Sequence, residues 1–360
     1  MLIRSRLAAA LAAVLLGACG GGGDGDQTPA IRYDKLVSFG DSLSDVGTHK
    51  VGSIAALSAQ GGGRWTTNSP GGGEIWTERL ATQIGVAKPC AAETGLQPNI
   101  LNPSTGQPAL VGAAPTAVPG CFSYAQGSAR ITSPLGPNSI ALQSFGQRNL
   151  GLIAKPLADQ MADHLTASGG SYSGKELVTV LAGANDVFME LSLTAPTDPT
   201  AAVTNVATAG ATLGQLIKTQ IVAKGAKRVL VLNMPDVAGT PFARSLDTDT
   251  VGLIDLMVKT FNAQLAAQLQ GVPEVRLADA YTVSKDQVAN PAQYGLVNVT
   301  DEACGTNALG TTSLVCNASN TLAGVDISRY QFADDVHPTA YGHLLLTQFA
   351  AKELLQAGWL

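Results

Sequence analysis

Residues 35–45 read KLVSFGDSLSD, and they combine a strand pattern with a turn that carries a serine. Its apolar first half, with Val37 and Phe39 at its centre, predicts a buried β-strand. Gly40 then ends the strand, and the Asp-Ser pair that follows is typical of a tight turn. In an open sheet of parallel strands, the carboxyl ends of the strands face the ligand crevice. A turn at this point therefore presents Ser42 where its hydroxyl can reach a bound molecule.

Strand and helix patterns alternate along the rest of the chain. Further strands are predicted at residues 176–182 (ELVTVLA), 227–233 (KRVLVLN) and 275–278, and helices at 74–84, 201–223, 251–269 and 339–355. Short, β-branched strands separated by helices favour a central parallel sheet, of about five strands, with helices on both faces. Two stretches rich in Pro, Gly, Ala and Thr, 87–119 and 287–328, interrupt the alternation and are predicted to be insertions. Residues 31–360 are therefore predicted to form one domain.

The composition excludes several functional classes. Hydrophobic residues make up 45% of the chain and charged residues 14%, which is typical of a folded protein and not of a disordered one. The net charge is −5 and no basic cluster occurs, so a nucleic-acid partner is not expected. The sequence also has no P-loop, no H-E-x-x-H motif, no dinucleotide-binding fingerprint and no G-x-S-x-G motif. The last absence argues against an ordinary α/β-hydrolase.

The N-terminus predicts export. Arg4 and Arg6 precede an apolar run, 7–16, which is too short to cross a bilayer as a helix. The run ends in Leu-Gly-Ala-Cys, which resembles the lipobox of bacterial lipoproteins. We therefore predict that residues 1–18 are a signal peptide and that Cys19 is lipidated. Simple secretion with an incidental cysteine is the alternative.

The residues after Cys19 predict how the chain is held at a membrane. Residues 19–30 are rich in glycine and are expected to form a flexible tether between the lipid and the domain. Gly20 follows the cysteine in place of an aspartate, which favours anchoring at the outer membrane, on either of its faces. No other stretch is long and apolar enough to predict a membrane-spanning helix, so the lipid is the expected membrane contact.

Four cysteines remain when Cys19 is set aside: Cys90, Cys121, Cys304 and Cys316. An even number of cysteines in an exported chain predicts disulfides. Three pairings are possible, and nearest-neighbour pairing, Cys90 with Cys121 and Cys304 with Cys316, is favoured because it would stabilise both insertions. A zinc site is the alternative, but neither a C-x-x-C motif nor a Cys/His cluster supports one, and no metal is expected.

Ser42 needs a base, because a serine hydroxyl is a weak nucleophile until its proton is removed. The chain has four histidines, and His337 lies in DDVHPT, directly before the last predicted helix. Asp334 precedes it by three residues, a spacing that lets the carboxylate reach Nδ1 of the imidazole in a tight turn. Ser42, His337 and Asp334 are thus the predicted nucleophile, base and orienting carboxylate, with the neighbouring Asp335 as the alternative carboxylate.

Two further segments supply candidate hydrogen-bond donors for a negatively charged oxygen, which acyl transfer also requires. Asn185 follows the strand at 176–182, in the segment GAND, and its side-chain amide can donate into the crevice. Gly127, in SYAQGSA, is a second candidate, because a glycine lets its backbone N–H approach a substrate closely.

The segments FGDSLSD, SYAQGSA, GANDV and DDVHPT occur in this order along the predicted domain, and together they resemble the SGNH/GDSL hydrolase family. The resemblance implies a three-layer α/β/α, flavodoxin-like fold. It also implies that Ser42 is the nucleophile and, through its backbone N–H, one oxyanion donor, while Gly127 and Asn185 supply the other donors. One segment departs from the family pattern Asn-Tyr/Phe-Ala-x-Gly-Gly-Ala, because Ser123 replaces the asparagine and Ser128 replaces the second glycine.

The resemblance implies a serine ester hydrolase that forms an acyl-enzyme on Ser42, without a metal or organic cofactor. The substrate is expected to be a small-molecule or lipid ester, and the chain is expected to act as a monomer. A lipase-like carboxylesterase is the leading interpretation, and a carbohydrate O-acetylesterase of the same fold is the alternative. A third hypothesis is a catalytically silent surface lipoprotein that binds a ligand on a hydrolase scaffold. The intact Ser, His and Asp positions count against it, and failure to react with an organophosphonate probe would favour it.

Overall fold

A parallel sheet of four strands forms the centre of this computed structural model. Its strands, in spatial order, are β1 (Leu36–Gly40), β2 (Leu177–Leu181), β3 (Val229–Leu232) and β4 (Val275–Ala278). Each lies within a predicted strand, so these four predictions are confirmed. The structure describes residues 31–360 apart from 59–60, 70–72, 98–99, 102–107, 140 and 142–149. The predicted signal peptide, Cys19 and the tether lie outside the described residues.

A fifth segment joins the outer side of β1 by a single bridge. Ser38 of β1 pairs in parallel with Ser123, through hydrogen bonds from Ser38 N to Phe122 O (3.0 Å) and from Tyr124 N to Ser38 O (2.8 Å). The predicted sheet of about five strands is therefore four strands and one bridge. With this segment included, the strand order is that of a flavodoxin-like sheet, which grows in opposite directions on the two sides of β1.

Helices cover both faces of the sheet, which makes the fold a three-layer α/β/α arrangement. In the described residues, the α-helices are α1 (Gly52–Leu57), α2 (Trp76–Gln83), α3 (Leu157–Ala167), α4 (Ala184–Leu193), α5 (Pro199–Leu216), α6 (Pro241–Arg244), α7 (Thr248–Leu269), α8 (Ala280–Ala289) and α9 (Ala340–Gln356). Val178 and Val180 join one apolar cluster with residues of α5 and α7, while Leu177 and Leu181, which point to the other face, are equally buried. On that other side, α9 packs against α2 and contacts β3 and β4.

The four predicted helices are confirmed as α2, α5, α7 and α9, with one irregularity. The helix predicted to reach residue 223 is regular only to Leu216, and it continues as a π-helical turn, Ile217–Ile221, and a 3-10 turn, Val222–Lys224. The described helices include none with the length and hydrophobicity of a bilayer span.

Two disulfides close the insertions. Cys90 is bonded to Cys121 and Cys304 to Cys316, so nearest-neighbour pairing is confirmed. The first insertion forms small antiparallel pairs and the second a short parallel pair. The paired strands are Glu93–Leu96 with Ala113–Ala117, Ile100–Leu101 with Pro108–Leu110, and Asn298–Glu302 with Tyr330–Phe332.

Two glycines allow the turns at the carboxyl ends of β1 and β2. A Cβ on Gly40 would lie 2.4 Å from the carbonyl oxygen of Leu181, and Gly183 has a left-handed φ of +121°. These turns lead directly into the 3-10 turn Ser42–Ser44 and into α4. Because the order of the sheet reverses between β1 and β2, the two turns flank its topological switch point, where open α/β sheets bind ligands.

His164 on α3 is buried beneath the sheet among aromatic rings. Its ring centroid lies between 4.5 and 5.8 Å from those of Phe39, Tyr124 and Tyr172. The residue is 1% exposed, and neither ring nitrogen has a hydrogen-bond partner in the described chain. Burial, assisted by the charge of Lys35, lowers the pKa of His164 from 6.5 to about 4.

We predict that His164 makes the fold sensitive to acid. Because its pKa in the folded chain lies below 6.5, the proton favours the unfolded chain, and stability is lost as the pH falls from 6.5 toward 4. The loss expected from this residue is about 2–3 kcal/mol. Urea unfolding at pH 7 and pH 4.5 should show a smaller loss for His164→Phe than for the wild type. An equal loss in both proteins would contradict the prediction.

Candidate active site

The predicted nucleophile, base and carboxylate meet at the carboxyl end of β1. Ser42 opens the 3-10 turn after β1, and its Oγ lies 2.8 Å from Nε2 of His337. Nδ1 of the same imidazole lies 2.8 and 2.9 Å from the two carboxylate oxygens of Asp334. None of the three residues is more than 9% exposed. In this arrangement the imidazole can take the hydroxyl proton while the carboxylate holds its other nitrogen.

A tight turn brings Asp334 and His337 together. The Asp334 carboxylate accepts hydrogen bonds from the backbone N–H groups of Val336 (3.1 Å) and His337 (2.7 Å). Ala333 N in turn donates to the carbonyl oxygen of His337 at 2.7 Å. Thr339 then caps the N-terminus of α9 with its hydroxyl. The three-residue spacing thus allows one side chain to close the turn and to reach the imidazole.

The electrostatics of this pair favour a charged carboxylate. Burial alone would raise the pKa of Asp334, but the charge and hydrogen bonds of His337, together with Ser313, outweigh burial and hold that pKa at about 2. Burial would lower the pKa of His337, but the neighbouring Asp334 outweighs burial and raises it. The pair is therefore arranged to stabilise a positive charge on the imidazole.

Other titratable candidates do not occupy these positions. Asp334 contacts the imidazole through its carboxylate, whereas the neighbouring Asp335 does not. His49 and His343 are fully buried, and neither forms a hydrogen bond with Ser42 in the described structure. Within the described ranges, no group of His, Cys, Asp or Glu side chains is arranged to hold a metal ion.

Two donors predicted for the oxyanion line the same cleft as the Ser42 hydroxyl. Asn185 lies in the first turn of α4, and its Nδ2 donates one hydrogen to Ala129 O at 2.9 Å, which leaves the second N–H of the amide available. The backbone N–H of Ser42 begins the 3-10 turn and donates no hydrogen bond within the described chain.

The structure corrects the assignment of Gly127 as an oxyanion donor. Its backbone N–H donates to Oδ2 of the buried Asp45 at 2.8 Å, so this donor is already used. The indole of Trp65 covers the glycine, since a Cβ there would lie 2.6 Å from the indole nitrogen. Gly127 does not line the cleft, whereas the next residue, Ser128, does.

Ser128 therefore takes the place expected of Gly127. It is 5% exposed, and its backbone N–H donates no hydrogen bond in the part of the chain that the structure describes. Its φ of +70° is left-handed, which is uncommon outside glycine. The sequence contains a signal for this residue, because a turn that requires a left-handed φ normally selects glycine, and Ser128 replaces the second glycine of its segment.

The cleft has a volume of about 1290 Å³ and a largely apolar wall. Phe188 follows Asn185 by three residues on α4, so the two side chains lie on the same face of the helix. The Phe188 ring meets that of Phe242 edge to face at 5.3 Å. Phe242 N also donates to Asp335 O at 2.9 Å, which ties α6 to the loop that carries His337. Leu191, Leu246 and Leu253 extend the wall.

Comparison with known proteins assigns the chain to a family. A model of GDSL-like lipase/acylhydrolases matches residues 36–349. An uncharacterised protein in the trpE-trpG intergenic region of Pseudomonas putida is 27% identical over 91% of the chain, and GDSL esterase/lipase At1g20120 of Arabidopsis thaliana is 23% identical over 89%. GDSL esterase/lipase APG of A. thaliana is 28% identical over 35% of the chain. The chain spans only 39% of APG and 49% of the P. putida protein, but 80% of At1g20120.

Two solved structures resemble the chain weakly. An acetylxylan esterase from Geobacillus stearothermophilus aligns over 91% of this chain and 96% of its own, with 12% identity and a TM-score of 0.38. LAE5, an α/β hydrolase from the metagenome of Lake Arreo, aligns over 91% of this chain and 97% of its own, with 14% identity and a TM-score of 0.39. Likeness at this level does not bear on the substrate of this chain.

We predict that the Cys304–Cys316 disulfide supports Asp334, because it closes the loop from which Ser313 N donates to that carboxylate. Replacing both cysteines by alanine should slow covalent labelling of Ser42 by a fluorophosphonate roughly tenfold, since one charge-assisted hydrogen bond is weakened. The matched control is Cys90→Ala/Cys121→Ala, which should lose stability in thermal unfolding without slower labelling. Equal slowing in both variants would contradict the prediction.

Proposed function

The chain belongs to the GDSL-like lipase/acylhydrolase family, and on this premise we propose that it is a serine ester hydrolase that forms an acyl-enzyme on Ser42. The observation that carries the proposal is the continuous line of hydrogen bonds from Ser42 through His337 to Asp334, each 2.8 Å long. These hydrogen bonds make the serine hydroxyl nucleophilic, because the imidazole can take its proton. A serine in a polar turn without such a base is a weak nucleophile.

In the first step, Oγ of Ser42 attacks the carbonyl carbon of the ester. The hydroxyl proton passes to Nε2 of His337, while Nδ1 keeps its hydrogen bond to Asp334. The imidazolium forms readily because Asp334, against the effect of burial, raises the pKa of His337.

The carbonyl oxygen becomes negatively charged in this step. We assign its stabilisation to the backbone N–H of Ser42, the backbone N–H of Ser128 and the second N–H of the Asn185 amide. In the described structure none of these three N–H groups donates to another acceptor, so they can bind the oxyanion without first breaking a hydrogen bond.

The intermediate then collapses. The proton on His337 passes to the oxygen of the alcohol, the C–O bond breaks, and the acyl group stays on Ser42. Water attacks the acyl-enzyme as His337 accepts its proton, and that proton returns to Oγ of Ser42 when the carboxylic acid leaves. The protons balance among Ser42, His337 and water, so the proposal includes no metal or organic cofactor.

Esters that carry an apolar chain are the proposed substrates. The support is the wall formed by Phe188, Phe242 and Leu253, which begins beside Asn185 and continues along α7. A hydrocarbon chain that leaves the ester carbon can bury against this wall, and each buried methylene contributes about 0.8 kcal/mol.

We also propose that the mature chain begins at a lipidated Cys19 and acts as a monomer at the outer membrane. The support is the sequence Leu-Gly-Ala-Cys after a short apolar run, followed by the glycine-rich residues 20–30. An anchor of this kind would hold the cleft close to lipid esters.

Ser42→Ala and His337→Ala should each lower the hydrolysis of p-nitrophenyl butyrate by roughly 10⁴-fold or more, because each removes a member of one catalytic unit. Asp335→Asn, which removes a neighbouring carboxylate without contact to the imidazole, should lose far less. Circular dichroism and steady-state kinetics check the fold and the rate. Wild-type turnover in a folded Ser42→Ala variant would overturn the proposed function.

A chain-length series tests the substrate. In p-nitrophenyl esters from acetate to octanoate, kcat/KM should rise by up to about fourfold per added methylene. Leu253→Asp should flatten this series, because Leu253 lines the cleft, whereas Leu256→Asp, three residues further on the same helix and 50% exposed, should not. A parallel series of acetate esters of longer alcohols shows whether the wall binds the acyl or the alcohol part.

The outcome of these series also separates the alternatives. Rates that stay equal or fall as either chain is lengthened would contradict the apolar-chain proposal while leaving the hydrolase proposal intact. Release of acetate from acetylated xylan would then favour a carbohydrate O-acetylesterase. A folded protein that hydrolyses no ester and fails to react with an organophosphonate would be a binding protein.

A further inference from the structure

The backbone N–H of Ser128 belongs to a residue in a strained conformation. Its φ of +70° lies in the left-handed region that a side chain makes unfavourable, and the turn around it is closed by Ala129 N, which donates to Gln126 O at 3.2 Å. Such a conformation persists only where the surrounding structure fixes the chain. The residues on both sides of Ser128 are fixed by buried carboxylates.

Asp45 holds the chain on the N-terminal side of Ser128. It is fully buried, and its Oδ2 accepts the N–H of Gly127 at 2.8 Å. Its Oδ1 accepts the N–H groups of residues 47 and 48 at 2.9 and 2.7 Å, so the carboxylate cannot turn away from the glycine without losing these bonds. Asp45 lies three residues after Ser42, at the end of the same 3-10 turn.

Asp186 holds the chain on the C-terminal side of Ser128. Its Oδ2 accepts the N–H of Ile131 at 3.1 Å, and its Oδ1 accepts Nε of Arg130 at 3.0 Å. Arg130 is itself held by Glu190, 2.8 Å from its Nη2. Asp186 is 3% exposed and directly follows Asn185 on α4.

Asp45 thus lies in the turn that carries Ser42, and Asp186 lies next to Asn185 on α4. Each carboxylate is close in sequence to another proposed oxyanion donor. We propose that Asp45 and Asp186 are positioning residues that hold the Ser128 N–H at a fixed distance from the Ser42 N–H and from the Asn185 amide. They act through the backbone on either side of the strained residue and do not touch the substrate. The inference rests on the proposed function, because the oxyanion forms only in that reaction.

Asp45→Asn and Asp186→Asn test the inference, because each keeps the shape of the side chain and removes its charge and one acceptor. Each should lower kcat for p-nitrophenyl butyrate at least tenfold with KM changed less than about twofold, since the contact is made only in the transition state. The inhibition constant of butylboronic acid, which mimics the tetrahedral intermediate, should rise by the same factor as kcat falls.

Glu353→Gln is the matched control. Glu353 is a buried carboxylate, 9% exposed, that binds Arg276 at 2.7 Å on β4, at the opposite edge of the sheet from Ser42. Its loss should lower the temperature of thermal unfolding but leave kcat and boronic acid binding unchanged. If Asp186→Asn does not fold, Arg130→Leu removes the contact between Arg130 Nε and Oδ1 of Asp186 from the other side, and kcat and boronic acid binding should fall together there too.

Ser128→Gly provides a rescue. Glycine adopts a left-handed φ without strain, so the turn needs less support. Combined with Asp45→Asn, this substitution should recover most of the lost kcat and most of the boronic acid binding. A substitution that only raised the stability of the fold would not recover them.

Several results would overturn the inference. Unchanged kcat in both folded aspartate variants is one, and a kcat loss without weaker boronic acid binding is another. A similar kcat loss in Glu353→Gln, or no rescue by Ser128→Gly, would show that the carboxylates matter only for stability. The proposed function fails separately, since it requires that the wild type hydrolyse the ester and that Ser42→Ala not do so.

Discussion

A carboxylate withdrawn from water needs hydrogen-bond donors around it, and this constraint shapes the loops of the active site. Asp334 accepts three backbone N–H groups as well as the imidazole, and its pKa is held at about 2. Asp41 is equally buried, but the main donor to its carboxylate is Leu43 N, at 3.1 Å, and burial raises its pKa to about 7. The charge of His337 and the number of donors, and not depth alone, decide how strongly each carboxyl group in this cleft holds its proton. A carboxylate that accepts several hydrogen bonds also fixes the backbone N–H groups that donate them.

The sheet explains why such carboxylates are needed here. Parallel strands end at one edge, and the loops that leave them cannot pair with each other as strands do. Ser42 and Asn185 directly follow β1 and β2, whereas Ser128 and His337 stand on loops that join neighbouring strands only through isolated bonds, such as that from Gln126 N to Gly40 O at 3.2 Å. Buried carboxylates supply the further hydrogen bonds that fix the loop of Ser128. Asp45 binds Gly127 N across 82 residues of sequence, and Asp186 binds Ile131 N across 55.

The sequence predicts what is local and periodic. The four strands, the long helices and the turn from Asp334 to His337 follow from patterns within a few residues, and these agree with the structure. The choice between Gly127 and Ser128 has one local signal, the glycine that Ser128 replaces, but it is decided by a bond from Gly127 N to a carboxylate 82 residues away. The apolar wall of the cleft is equally non-local, since it joins side chains from three helices whose arrangement no pattern in the chain specifies.

The second insertion illustrates how such non-local support is built. Ser313 N binds Asp334, and the carbonyl oxygen of Ser313 accepts Nδ2 of Asn68 at 3.0 Å. Asn68 lies three residues from Trp65, whose ring packs 4.7 Å from the imidazole of His337. The imidazole of His337 is thus held on one side by the Asp334 carboxylate and on the other by the Trp65 indole, and one loop connects both supports. A catalytic histidine must keep its orientation through two proton transfers. An insertion that fixes the carboxylate and the packing surface together meets that requirement, and its residues 309–312 also line the cleft.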